Sequence, residues 1–128
     1  MPLYRQHLYE QGVQLWCAPT VDAREMWQTS MRHIAYEGRC FVLSACQRLT
    51  KEDWPVDLRE NGGVIDGRSL IVSPQGGVVA GPMVETGLLV AEIDMDEIAR
   101  GKFDLDVAGH YNRRDVFGFS VRRGQEGS

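Results

Sequence analysis

Two apolar runs separated by one amphipathic segment constrain the fold of this chain more than any other feature. Val13, Leu15, Trp16, Cys17 and Ala18 form the first run; Cys40, Phe41, Val42, Leu43, Ala45 and Cys46 form the second. Neither alternates cleanly with polar residues, so both are expected as strands buried on two faces, as in a parallel sheet. Between them Trp27, Met31, Ile34, Ala35 and Gly38 recur at helical spacing on one face. Asp22 and Glu25, three apart, predict a capping box, and Gly38 predicts a left-handed stop. Such a strand-helix-strand unit crosses over right-handed. An open α/β sheet places ligands at the carboxyl ends of its strands, here residues 18–22 and 46–48.

The remaining segments fit around that unit. Residues 1–11 read as a helix, with Pro2 tolerated in its first turn. Residues 49–63 are charged and broken by Pro55 and Gly62-Gly63, which predicts a long surface loop; Trp54 within it is expected to fold back over apolar surface. Residues 69–72 and 78–80 predict a hairpin joined by Ser73-Pro74-Gln75-Gly76-Gly77. Residues 88–93 predict a further strand, and Asp94 a helix cap, with Glu97 three residues on and Gly101 as the stop. Phe117, Phe119 and Val121 alternate as an edge strand, and 122–128 are expected to be a disordered tail. The sum over 1–121 is one α/β domain with a mixed sheet and helices on one face. The opposite sheet face needs apolar cover from a partner chain or from a segment outside this sequence.

A length of 128 residues suits a single domain. The formal net charge is −4 with no dense basic run, which argues against a nucleic-acid partner. No apolar stretch approaches the roughly 20 residues needed to cross a bilayer, and Met1 leads directly into polar helix with no signal peptide in view. The 3 cysteines include no CxxC pair. Free thiols in a reducing, cytoplasmic setting are the expectation.

Cys46, at a strand end, is the sharpest residue-level candidate for a nucleophile. A reactive thiolate needs a base or positive charge beside it, and no motif ties His7, His33 or His110 to a cysteine. Packing is the expected role of Cys17, Cys40 and Cys46. His33 is expected in an interface or core contact. Glu37, in the last helical turn, faces the unfavourable end of the helix dipole and should have a specific partner, Arg39 or a group across an interface. No metal-ligand spacing, GxGxxG or Walker motif occurs. The polar-aromatic cluster at 110–115 is a solvated tail or a docking segment.

Several blocks, in order, resemble the nitrilase branch of the carbon–nitrogen hydrolase superfamily. Met1, Pro2, Leu3 and Arg5 match the second half of its nucleophile motif, Cys-Trp-Glu-Asn, one residue, then Met-Pro-Leu and an Arg. WCAPTVD and SMRHIAxEGRCFVLSACQ match the strand, helix and strand that follow. Gly67, Ser69, Pro74 and Gly76 fit the later hairpin, and Ala91–Asp94, Asp106-Val107 and Gly109-His110-Tyr111 fit the carboxyl-terminal signature, which here continues Arg113-Arg114 instead of Arg-Pro. The resemblance implies the carboxyl-terminal part of a four-layer α-β-β-α sandwich. It also implies a nitrile hydrolase with a Glu, Lys and Cys triad and no cofactor or metal. In the family pattern all three triad residues precede the position of Met1, so no catalytic residue is assigned to this chain. Pro19, Thr20, Val21, Asp22 and Gln47 would form one pocket wall, meeting a small nitrile only in the complete enzyme. Helices 3–11 and 24–37 would form a homo-oligomer surface through Trp27, Met31, His33, Ile34 and Glu37. The alternative is a non-catalytic assembly module that pairs with itself or with a separate amino-terminal half; a thiol enzyme using Cys46 is a third reading.

Overall fold

The computed structural model describes residues 1–122. Its elements run α1 (Pro2–Glu10), β1 (Leu15–Cys17), α2 (Glu25–Gly38), β2 (Phe41–Ser44), β3 (Arg48–Leu49), a 3-10 turn (Lys51–Asp53), β4 (Ile65–Asp66), β5 (Ser69–Val72), β6 (Val78–Met83) and α3 (Asp96–Asp104). The main sheet has the order β1-β2-β5-β6. β1 and β2 pair in parallel, with Leu15 opposite Phe41 and Cys17 opposite Leu43, as a strand-helix-strand crossover requires. β2–β5 and β5–β6 are antiparallel, so the sheet is mixed, as the sequence implied. β3 and β4 form a separate antiparallel pair. No helix among the described residues is long and apolar enough to cross a membrane.

α2 lies over this sheet because its apolar stripe and the even positions of β2 and β5 meet. Ala18, Met31, Ala35, Cys40, Val42, Leu70 and Val72 form the buried cluster, with Val13, Trp16, Trp27 and Ile34 packed at its margin. Each fully buried Val or Leu there contributes about 1.5–3 kcal/mol. The predicted hairpin forms through a turn in which Gly76 takes φ +78°, with Ser73 N–H donating to Gly77 O at 2.8 Å. Trp54 folds back within its own loop, its Nε1 donating to Gly63 O at 2.9 Å.

Several local expectations are corrected. β2 is buried on both faces, but β1 is not: Cys17 is exposed and Leu15 is 48% exposed. β1 ends the sheet, and Trp16 points the other way, into the packed layer. No capping box forms at α2, because Asp22 spends its carboxylate on Arg24, accepting from its backbone N–H at 3.0 Å and its Nη2 at 2.6 Å. Gly38 is the last helical residue, and the left-handed position falls one later, on Arg39 at φ 47°. Gly38 serves instead as a notch, since a β-carbon there would collide with the Tyr9 ring. Residues 88–93 form no strand: they run without a ladder partner, and Leu88 and Val90 face solvent. α3 is capped by Met95, with Asp94 accepting from Asp96 N–H at 2.9 Å, and it runs through Gly101 to Asp104. Gly101 marks a close approach to the Arg39 stem, 3.0 Å from where a β-carbon would sit. Residues 117–121 pair with no strand. Of the tail expected at 122–128, residues 123–128 lie outside the described residues.

Arg39 explains why the body tolerates a left-handed non-glycine. Its side chain is 1% exposed, stacks on the Tyr36 ring at 4.1 Å, and donates to Gln75 Oε1, to Pro74 O at 3.4 Å and to Asp104 Oδ2 at 2.8 Å. One guanidinium thus joins α2, the hairpin and α3. These contacts offset a backbone cost on the order of 1–3 kcal/mol.

Candidate functional site

The β1–β2 ladder continues past both strands as a parallel bridge between Thr20 and Cys46. Thr20 N–H donates to Ala45 O at 2.9 Å, and Gln47 N–H donates to Thr20 O at 3.2 Å. Thr20 and Gln47, anticipated as pocket wall, are therefore neighbours at the carboxyl end of the sheet. The chain then turns sharply, with Asp22 N–H donating to Thr20 Oγ1 at 2.9 Å, a turn that threonine side chains favour. Val21 and Asp22 emerge into a cleft of about 730 Å³, shared with Arg24, Ile65, Asp66 and Arg68. Pro19, Thr20 and Gln47 do not line it. The contribution of Asp66 and Arg68 was not anticipated. Its signal is Gly67: Gly67 and Arg68 both take positive φ, 77° and 74°, which swings β4 back beside the strand ends.

Charge in this cleft is organised around one pair. Hydrogen bonds from the Arg24 guanidinium, and then from its backbone N–H, hold the Asp22 carboxyl down at about 2. Cys46 is fixed by its backbone: its N–H donates to Ser69 Oγ at 2.9 Å, and that hydroxyl donates to Cys46 O at 3.3 Å. Its thiol is pushed up, first by burial and then by the Asp22 charge. It therefore stays protonated near neutral pH, the reverse of an activated thiolate. Among the described residues no three His, Cys, Asp or Glu side chains converge to hold a metal ion.

The residues anticipated on an oligomer surface divide into two groups. Trp27 donates from Nε1 to Ser44 Oγ at 2.9 Å, Met31 is 2% exposed in the core, and Ile34 packs at its margin. These three face the chain's own sheet, because α2 has one apolar stripe and the sheet occupies it. Met31 in particular has no surface to offer a partner. His33 and Glu37 lie outside that layer. Glu37 accepts from Arg5 Nε and Tyr9 OH, both at 2.9 Å, and stands 3.6 Å from His33 Nε2. Its partner is α1 and not Arg39, which is engaged with Asp104. Burial alone would push the Glu37 carboxyl up; the hydrogen bonds from Arg5 and Tyr9 outweigh it and hold the group below its ordinary value. Burial, then the bond to Glu37, pushes the Tyr9 hydroxyl up. Arg5 and Tyr9 share a helix face at i and i+4, a spacing legible in the sequence but overshadowed by the apolar face beside it.

Residues 1–103 match the carbon–nitrogen hydrolase family. The chain is 54% identical to an arylacetonitrilase from Trametes versicolor (strain FP-101664), over 95% of this chain and 41% of that protein. It is 50% identical to an aliphatic nitrilase from Sinorhizobium fredii (strain HH103), over 91% of this chain and 40% of that protein. Its fold superposes on the crystal structure of the C. elegans NitFhit protein with a TM-score of 0.74 at 26% identity, covering 95% of this chain and 28% of that one. The chain spans about two fifths of the length of the curated relatives it matches. Its mixed sheet with an overlying helical layer is the nitrilase-type fold, and the chain belongs to the carbon–nitrogen hydrolase family, in the nitrilase branch.

Proposed function

We propose that this chain supplies the carboxyl-terminal portion of a nitrilase-type hydrolase that converts a nitrile to a carboxylic acid and ammonia. The identity to an arylacetonitrilase, 54% over 41% of that protein's length, carries this reading and makes an arylacetonitrile the first substrate to test. The Cys of the family triad adds to the nitrile carbon, water displaces ammonia from the thioimidate, and a second water releases the acid. The triad residues lie in the part of the enzyme that precedes the position of Met1. Within the complete enzyme the strand ends 19–22, with Gln47, form one wall of the pocket, and the Asp22–Arg24 pair fixes the turn that shapes it. Alone, the chain releases no ammonia. Incubation with phenylacetonitrile and ammonia detection tests this: turnover at the rate of a full-length nitrilase would overturn it. An in-frame Cys-Trp-Glu-Asn just upstream of the Met1 codon is the matching genetic expectation.

The second reading is a non-catalytic assembly module in a reducing compartment, oligomeric through α1 and α2. Exposed apolar side chains on these helices, Leu3, Tyr4, Met26 and Tyr36, favour it. Light scattering on the purified chain decides: a concentration-independent monomer removes this reading.

A further inference from the structure

We propose that Glu37 is a charge-gated clamp: its ionised carboxylate holds α1 on α2, and protonation releases α1 while the sheet and α2 stay folded. The proposal stands on the chain's own contacts and is independent of the hydrolase reading above.

α1 is tied down at one place. Tyr9 is its only buried residue, and Leu3 and Tyr4 are exposed. The Tyr9 ring sits in the notch left by Gly38 and meets the Trp16 ring at 5.7 Å between centroids. Its hydroxyl reaches Glu37 Oε2 at 2.9 Å and Ile34 O at 3.3 Å. Arg5, one turn earlier, donates to the same carboxylate oxygen at 2.9 Å. Elsewhere α1 is linked through Glu10, which accepts from Asn112 at 3.4 Å on the exposed surface. One carboxylate therefore collects the Arg5 and Tyr9 anchors, the two side-chain bonds that tie α1 to α2 through a charge.

The groups around that carboxylate set the direction of the response. Arg5 and Tyr9 face it from α1, and His33 from its own helix. Through the Tyr9 ring the joint also borders the Cys40 thiol at the start of β2, which burial pushes up to about 11 and which is thus neutral. No second acid competes for Arg5 among the described ion pairs. Because the Glu37 carboxyl is held below its ordinary value in the folded chain, the clamp is closed above the usual carboxylate range. It opens as pH falls through the lowered value.

Amide hydrogen exchange on the full chain, corrected for the intrinsic pH dependence of exchange, tests the clamp. Glu37→Gln keeps the shape and the acceptor oxygen and removes the charge. At about pH 7 the α1 amides of E37Q should exchange about tenfold faster than those of the wild type, the loss expected when a charge-assisted bond becomes a neutral one. Protection in β2 and β5 should be unchanged, which separates release of α1 from global unfolding. As pH falls below the ordinary carboxylate range, wild-type α1 should converge on E37Q. Arg5→Gln, which removes the other charge of the pair, should reproduce the loosening if E37Q is poorly folded. Equal α1 exchange in E37Q and wild type near neutral pH, or α1 and β2 loosening together in both variants, would overturn the proposal. Phenylacetonitrile turnover by the chain bears on the hydrolase reading and leaves this result untouched.

Discussion

Gly38 shows how a single residue can carry a role its type only half announces. Its spacing marks it as a helix-ending glycine, and the helix does end there. The left-handed turn falls on Arg39, however, and Gly38 instead admits the Tyr9 ring, whose Cδ1 lies 2.7 Å from where a β-carbon would sit. Gly38→Ala should therefore destabilise the chain by about 1–3 kcal/mol through overpacking, despite a helix-propensity gain of about 1 kcal/mol. Urea unfolding monitored by circular dichroism measures the balance. A partner so distant in sequence leaves no local trace, so the role was unreadable before the fold. The thiols were legible only in part: packing was expected of all three, and Cys17 is exposed because β1 ends the sheet. Cys40 is buried and pushed up to about 11, Cys46 is raised by burial, and Cys17 is exposed. Iodoacetamide near neutral pH should label Cys17 first, Cys46 more slowly and Cys40 only on unfolding. Mass-spectrometric mapping reads the order, and Cys46 labelling ahead of Cys17 would contradict the geometry.

Among the elements, the strand-helix-strand unit and the hairpin were readable because each satisfies its own constraints. Apolar runs fix β2 and β5, a helical stripe fixes α2, and Ser73 to Gly77 supply the turn. Residues 88–93 have the apolar run of a strand but no ladder partner, and β-structure depends on a neighbour that composition does not specify. The strand-end turn was located but only part of its cleft was, since Asp66 and Arg68 arrive through the β3–β4 pair from a loop with no apolar pattern. α3 was found and its fastening was not. Gly101 looks like a stop, yet it makes room for Arg39, whose guanidinium reaches Asp104. Asp104 is 73% exposed, but among the described residues it is the one acid paired with that buried cation. Asp104→Ala should cost about 1–3 kcal/mol, the penalty for under-satisfying a buried charged group, where an ordinary surface pair contributes about 0–1 kcal/mol. A shift of the urea midpoint no larger than that of Asp115→Ala, which breaks the exposed pair with Arg113, would refute the distinction.

At the scale of the whole molecule, the sheet is finished on one side and only partly covered on the other, where Phe41 is buried but its neighbours are not. α2 seals the layer beneath Val42, Leu70 and Val72. On the far face Leu43 and Ile71 remain half-buried beside Leu88 and Leu89, and Leu15 and Cys17 are open. Both-sided apolar character in β2 made the need for a second cover legible in the sequence; nothing in a strand's own residues could say that β1 would be left half-open. A chain so built should bind a solvatochromic dye such as ANS in its native state, and loss of the signal on oligomerisation, followed by light scattering, would identify the face that becomes covered.

The two ends of that sheet also differ in how they are guarded. β6 carries Pro82, which has no N–H to offer an incoming strand. β1 is Leu-Trp-Cys, with neither a charge nor a proline to deter pairing. In a concentrated solution this terminus of the ladder is the one expected to admit a strand from another copy. Leu15→Lys, at a side chain already half in water, should raise the concentration at which turbidity appears and leave the urea midpoint nearly unchanged.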